Sequence, residues 1–339
     1  MIIDCHGHYT TAPPSHQAFR DAQLARLDDP ALPVPSPAAP SDDAIRDSVE
    51  QHQLQVMRQR GIDLTLFSPK ASGMAHHVPD QPTADAWARA SNDLVHRVVE
   101  LFPRHFAGVC QLPQTPGGTL DSSVAELRRC VQDLGFVGCN LNPDPAGGHW
   151  TSPPLTDPYW FPLYEAMTEL DVPAMIHVST SCAPAAHTLG AHYLNADTSV
   201  FMQLVQGDLF TRFPRLRLVV PHGGGAVPYH WGRYRGLAVR MDRPDPAGLL
   251  ANVSFDTCVY HQPGIDLLLG VIAPERVLFA SEMLGAVRGA DPATGIDWDD
   301  TKRYVDRAAL TDEQRQQVYE HNARRVYPRL DARLTAQGR

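Results

Sequence analysis

Short apolar runs, rich in β-branched residues, alternate with longer amphipathic stretches along the whole chain. Eight of these runs read as strands, at residues 2–5, 64–68, 106–111, 137–141, 174–178, 216–221, 253–256 and 277–280. Most are continuously apolar rather than alternating, as expected of strands covered on both faces. The stretches between them read as helices. Ser41 caps one that runs to about residue 60, where Gly61 ends it. Others are predicted over 83–101, 118–134, 157–170, 197–213, 263–272 and 311–320. Eight unbroken β–α alternations predict an α/β fold, a (β/α)8 TIM-type barrel, with a doubly wound sheet as the competing architecture. The expected organisation is one barrel domain over residues 1–339. Within it, residues 9–40 form a long Pro-rich loop insertion after strand one, and residues 319–339 form a closing C-terminal segment. A long loop at that end of a barrel usually makes a lid or a pocket wall.

Composition narrows the function. Basic and acidic residues number 29 and 38, a net charge of −9. That balance argues against nucleic acid or an anionic membrane as the main partner, while leaving room for a small anion in a local basic pocket. No apolar run reaches the ~20 residues of a membrane helix, and the first residues lack the pattern of a secretory signal. A cytoplasmic location is therefore expected, and the six cysteines, without a CxxC pair, read as free thiols. Lys70 and Lys302 are the only lysines, which draws attention to any lysine in a loop.

Catalytic groups of such barrels stand at the C-terminal ends of the strands. His6 and His8 follow strand one, and residues i and i+2 of an extended segment point the same way. Strand five runs into His177, strand six into His222 and three glycines, and strand eight into Glu282. A chain with 16 histidines places some near strand ends by chance, and loop residues such as His16, His105 and His187 read as solvated or structural. The combination at strands one, five, six and eight is much harder to obtain by accident. Imidazoles with one carboxylate and an open position describe a catalytic zinc-type site.

These residues resemble the amidohydrolase superfamily, in its branch of metal-dependent decarboxylases and hydratases. The resemblance implies that His6, His8 and His177 bind metal, that His222 serves acid–base chemistry, and that Glu282 binds metal, moves protons, or both. It also implies one divalent ion, with zinc the first choice, because strand four ends in Gly138-Cys139-Asn140 without the lysine that bridges two metals in dinuclear relatives. The decarboxylases usually carry aspartate where this chain has Glu282. Segments 4–9, 140–145, 147–150, 221–225, 255–261 and 281–283 look like those of the hydratases that act on 4-oxalomesaconate in protocatechuate and gallate breakdown. Water addition across its C=C bond, giving 4-carboxy-4-hydroxy-2-oxoadipate, is the implied reaction. Non-oxidative decarboxylation of an aromatic or muconate-type acid is the alternative. Lactone hydrolysis and metal binding without turnover rank behind it.

A small polycarboxylate substrate calls for cations and hydrogen-bond donors near the metal. Lys70 after strand two and Arg288 beyond Glu282 are the candidate cations, and Asn142, Tyr193 and Asn195 the candidate donors. One of His76 and His77 is a further candidate for the pocket wall, and Arg324-Arg325 reads as structural or as part of an interface. The resemblance implies a homo-oligomer.

Overall fold

The computed structural model describes residues 1–37 and 39–339; Ala38, inside the predicted 9–40 loop, lies outside the described residues. Eight strands pair in parallel in chain order: β1 (Ile3–Tyr9), β2 (Leu64–Pro69), β3 (Phe106–Gln111), β4 (Gly138–Leu141), β5 (Ala174–Ile176), β6 (Leu218–Val220), β7 (Val253–Asp256) and β8 (Val277–Leu278). The chain continuing from β8 meets β1. Cys5 N–H donates to the Phe279 carbonyl and Glu282 N–H to the His6 carbonyl, both at 2.9 Å. The Asp4 carboxylate accepts from Ser281 N–H and hydroxyl across the same seam. These bonds close the (β/α)8 barrel.

Packing divides into two layers. Ile3, Cys5, Leu66, Val109, Met175 and Val219 belong to an inner cluster, and the larger cluster lies between strands and helices. Tyr327, Leu330 and Leu334, from the C-terminal segment, join the inner cluster with Ile3 and Leu64 at the N-terminal ends of the strands. The opposite mouth is left for polar groups.

β1 departs from simple alternation. Ile3 and Cys5 face the barrel interior, so strict alternation would send His6 and His8 outward. The pairing of β1 with β2 shifts register between Asp4 and Gly7. This irregularity exchanges the two faces, as a bulge does. Beyond it Tyr9 belongs to the outer layer, against Phe67, and the two histidines turn inward. Gly7 is required at this point. A Cβ there would stand 2.3 Å from Thr65 Cγ2 and 3.1 Å from the Leu66 carbonyl.

Several predicted boundaries change. The Pro-rich segment 9–40, read as irregular, contains a helix at Pro14–Asp28 with its prolines at the start, where a missing N–H costs nothing. The helix expected over 41–60 is two, Asp42–Glu50 and Gln53–Arg60. Strand one extends to Tyr9, so both histidines lie on it rather than after it. The helix expected from residue 197 starts at Gly190 and runs to Gln206, so Tyr193 and Asn195 lie on it. Among the described residues no helix is long and apolar enough to cross a membrane.

Two glycine substitutions should separate these local demands. Gly7→Ala is expected to destabilise the chain by about 1–3 kcal/mol through overpacking at the bulge. Gly236→Ala lies inside the helix Trp231–Arg240 with nothing within 4 Å of the new methyl; it should stabilise by about 0.4–1 kcal/mol. Urea midpoints of the two variants against the parent check both signs.

Candidate metal centre

Three ring nitrogens meet at the mouth of the barrel. The Nε2 atoms of His6, His8 and His177 stand 3.1 Å from one another on every side of a triangle. The other nitrogen of each ring fixes its tautomer. His177 Nδ1 lies 2.8 Å from the Val178 carbonyl, which can only accept, so Nδ1 carries the proton. His6 Nδ1 lies 2.9 Å from Asp256 Oδ2 and donates to that carboxylate. His8 Nδ1 lies 2.7 Å from Ser68 Oγ. The Ser68 hydroxyl has one proton, directed at the Gly7 and Pro69 carbonyls, and it also accepts from Asn140. It therefore accepts from His8 as well. All three Nε2 atoms are left with bare lone pairs aimed at one point.

That arrangement fits a divalent cation. Ligand nitrogens ~2.0–2.1 Å from one tetrahedral ion stand roughly 3.3 Å apart, close to the spacing observed. A carboxylate oxygen of Glu282 lies within 4.8 Å of these nitrogens, so it is within reach as a fourth donor. Burial holds His8 and His177 well below the usual imidazole range, and the neighbouring histidines add to the effect. Both remain neutral, as a ligand must.

Asp256, at the end of β7, ties the site together. Oδ2 holds His6, while Oδ1 accepts from Cys258 N–H at 3.0 Å and Gly223 N–H at 3.2 Å. Burial works to raise this carboxyl, and the bond from His6 overrides it, leaving it below the usual range. His222 has the opposite setting from His8 and His177. Burial would push it down. The Asp197 carboxylate, 2.8 Å from its Nδ1, together with Glu282 and Asp256, lifts it to about 9. Its Nε2 is buried without a hydrogen-bond partner, 3.8 Å from Glu282 Oε2. Tyr260 donates its hydroxyl to the same Glu282 oxygen at 3.1 Å. Both His222 and Glu282 have left-handed backbone angles, φ 52° and 51°. Such strain in a non-glycine residue persists only where the surroundings enforce it.

A cavity of about 150 Å³ opens over the centre, with His8, Lys70, Tyr193, Glu282 and Arg288 among its walls. Arg288 Nε donates to the Gly285 carbonyl at 2.9 Å. The Tyr193 ring stacks on His222, centroids 5.6 Å apart, and His222 Nε2 stands beside Glu282, which lines the cavity.

Two expected substrate contacts are corrected. Asn195 is exposed and lies outside the cavity. It sits on a helix, two residues or about 200° of rotation from Tyr193. Asp197, four residues from Tyr193, shares its face, and so both touch His222. Asn142 is buried and committed elsewhere: its amide meets His76 Nδ1 at 2.8 Å and its oxygen accepts from Asp144 N–H. His76 is buried against Ser179 and the Leu112 carbonyl, and neither His76 nor His77 lines the cavity. Arg324 pairs with Glu320 and Asp331, close to it in sequence. Sequence reading missed the supporting roles of Asp256, Asp197, Ser68 and Tyr260. For Asp256 and Ser68 a signal existed, a polar residue at the end of a predicted strand.

Residues 3–329 match the family model described as amidohydrolase. The chain belongs to the amidohydrolase family. This amidohydrolase is 60% identical to 2-keto-4-carboxy-3-hexenedioate hydratase of Sphingobium sp. strain NBRC 103272 / SYK-6, covering 100% of this chain and 99% of that protein. The crystal structure of 4-oxalomesaconate hydratase from Rhodopseudomonas palustris matches it with a TM-score of 0.93 at 56% identity, over 100% of this chain and 99% of that one. Gamma-resorcylate decarboxylase of Rhizobium radiobacter is more distant, 27% identical over 84% of this chain and 88% of that protein.

Replacing the residue that sets the His6 tautomer should loosen the centre. Asp256→Asn is expected to weaken divalent-metal affinity about 10–100-fold, the usual effect of losing a partner behind a ligating histidine. Competition with a chromophoric chelator measures it. Unchanged affinity would mean that the amidohydrolase does not use His6 as a ligand.

Proposed function

We propose that this amidohydrolase is a hydro-lyase that adds water across the C=C bond of 4-oxalomesaconate, giving 4-carboxy-4-hydroxy-2-oxoadipate in the breakdown of protocatechuate and gallate. The full-length 60% identity to a hydratase carries the reading, set against 27% for a decarboxylase of the same family. The chemistry of the site is consistent with it. In 2-keto-4-carboxy-3-hexenedioate, the double-bond isomer of 4-oxalomesaconate for which the 60% identical relative is named, the double bond is conjugated with the ketone. Oxygen attack on the far alkene carbon sends the electron pair to the ketone oxygen as an enolate, and the nearer carbon then takes a proton.

In this reading His6, His8 and His177, with Glu282 within reach, hold one zinc ion. When bound, the ion supplies Lewis acidity that makes water more acidic or polarises an oxygen of the substrate. Glu282 takes the proton from the attacking water, with the Tyr260 hydroxyl orienting its carboxylate. Protonated His222 delivers a proton to carbon from Nε2, the atom left without a partner in the fold. Lys70 and Arg288, in the cavity wall with Tyr193, face the carboxylates of the substrate. Neutral His8 and His177 beside a cationic proton donor divide the work among the imidazoles.

Turnover of 4-oxalomesaconate by purified protein, followed by loss of its conjugated absorbance with metal content measured on the same sample, tests the reading. Glu282→Gln and His222→Asn should each lower kcat about 10²–10⁴-fold, the range of a lost general acid or base. Wild-type turnover by a metal-loaded Glu282→Gln protein would remove Glu282 as the base. A metal-loaded parent that releases carbon dioxide from an aromatic acid, and hydrates nothing, would move the decarboxylase reading to the front.

The pH profile follows from His222. A proton donor works below its pKa, so activity should fall as pH rises through about 9. Asp197→Asn removes the carboxylate that lifts His222 and leaves burial, which lowers it. The alkaline limb of kcat/KM should then move to lower pH. A limb that stays in place would assign it to another group.

A further inference from the structure

The turn that carries Glu282 is held by a residue far away in sequence. Leu284 has a left-handed backbone like Glu282, with φ 58°. Both of its polar backbone groups are committed. Leu284 N–H donates to Asp299 Oδ2 at 2.8 Å, and its carbonyl accepts from the Thr10 hydroxyl at 2.8 Å. Gly285 N–H returns to the Glu282 carbonyl at 2.9 Å. Asp299 is buried, and its other oxygen meets Arg60 Nη2 at 2.7 Å. Arg60 also donates from Nη1 to the Asp299 carbonyl at 3.0 Å and from Nη2 to Asp297 at 3.1 Å. Its guanidinium is about nine-tenths buried.

Arg60 is the last residue of the helix Gln53–Arg60, and Gly61 ends that helix in a left-handed cap. The cap directs the chain into β2, while the Arg60 side chain crosses to the segment beyond β8. The run Arg60–Asp299–Leu284 is therefore a rigid link from the helix before β2 to the turn on which Glu282 stands. A planar guanidinium with two bonds to one residue fixes orientation as well as distance. The strained turn between Glu282 and Gly285 has no regular secondary structure to hold it, so outside bonds must set its angle.

We propose that Arg60 is a positioning residue for the reaction: through Asp299 and the Leu284 amide it fixes the turn that aims the Glu282 carboxylate at the metal centre. This deepens the hydratase reading and rests on the role given there to Glu282. Arg60 touches neither the cavity nor the histidines, so its effect on turnover has to pass through the turn.

Three measurements on the full-length, metal-loaded protein test it, at a temperature where each variant is folded by circular dichroism. In Arg60→Met and in the milder Asp299→Asn, amide exchange of a peptide spanning 282–289 should speed up at least tenfold, with β5 and β6 unchanged. Turnover should fall about 10–100-fold in kcat, the cost of misplacing a reacting group by about 1 Å, with metal content per chain unchanged and a smaller change in KM. Arg60→Lys should recover part of the loss. The double variant Arg60→Met/Glu282→Gln should be no slower than Glu282→Gln alone, because both changes remove one function. Unchanged exchange in the 282–289 peptide overturns the proposal, and so does faster exchange without loss of kcat, or losses that multiply in the double variant. If Glu282→Gln alone keeps full turnover, the base assignment fails instead, and the exchange result alone decides whether Arg60 holds the turn.

Discussion

Three imidazole lone pairs directed at one point repel one another, and the rest of the mouth is organised around keeping them there. Each ring is held by its far nitrogen, on a carboxylate for His6, a serine hydroxyl for His8 and a backbone carbonyl for His177. The three partners come from β7, β2 and the end of β5, so the site cannot form before the barrel has closed. The closing seam is part of the site too, since Glu282 N–H bonds to the carbonyl of His6. Such a site is costly when empty, because buried polar groups face each other without compensation. A cation relieves that cost, so metal binding and folding should be coupled in this protein.

The same mouth keeps like residues in unlike states. Burial pushes His8, His177 and His222 toward the neutral form, which suits His8 and His177. His222 differs because Asp197 approaches it from the helix that also supplies the stacked Tyr193. One carboxylate, one helical turn from the tyrosine, raises an imidazole that burial alone would lower. Global charge plays no part in this. A chain with net charge −9 places Lys70 and Arg288 at the cavity rim, so attraction for an anionic substrate is local.

Much of this was legible in the sequence because the barrel imposes it. Apolar runs marked the strands, and the rule that chemistry stands at strand ends singled out His6, His8, His177, His222 and Glu282. What escaped depended on rotation and register. Alternation counted from Ile3 would turn His6 and His8 outward, and only the register shift near Gly7 explains why they face the barrel interior. Asn195 was misplaced because 191–197 is a helix, where two residues of separation mean opposite faces. Asn142 stands at a strand end as the rule asks, yet buried neighbours claim its hydrogen bonds. The helix at Pro14–Asp28 was hidden by flanking prolines that mark its start as readily as they mark a loop.

The residue at position 282 shows why a longer acid needs a more elaborate support. Glutamate has one more rotatable bond than aspartate, so its carboxylate sweeps a larger volume and is aimed less well by the backbone alone. Three features remove that freedom. The left-handed backbone at Glu282 sets the direction in which the side chain leaves the chain. Gly285 lies beneath it, and a Cβ there would come within 2.7 Å of Glu282 Cγ and 2.8 Å of Cδ, so the glycine gives the folded side chain its seat. Tyr260 then holds one carboxylate oxygen from β7's side. Extra length together with this restraint brings a carboxylate oxygen within 4.8 Å of the three histidine nitrogens. An aspartate on the same turn would fall short by about one bond, while leaving Gly285 and Tyr260 without a side chain to guide.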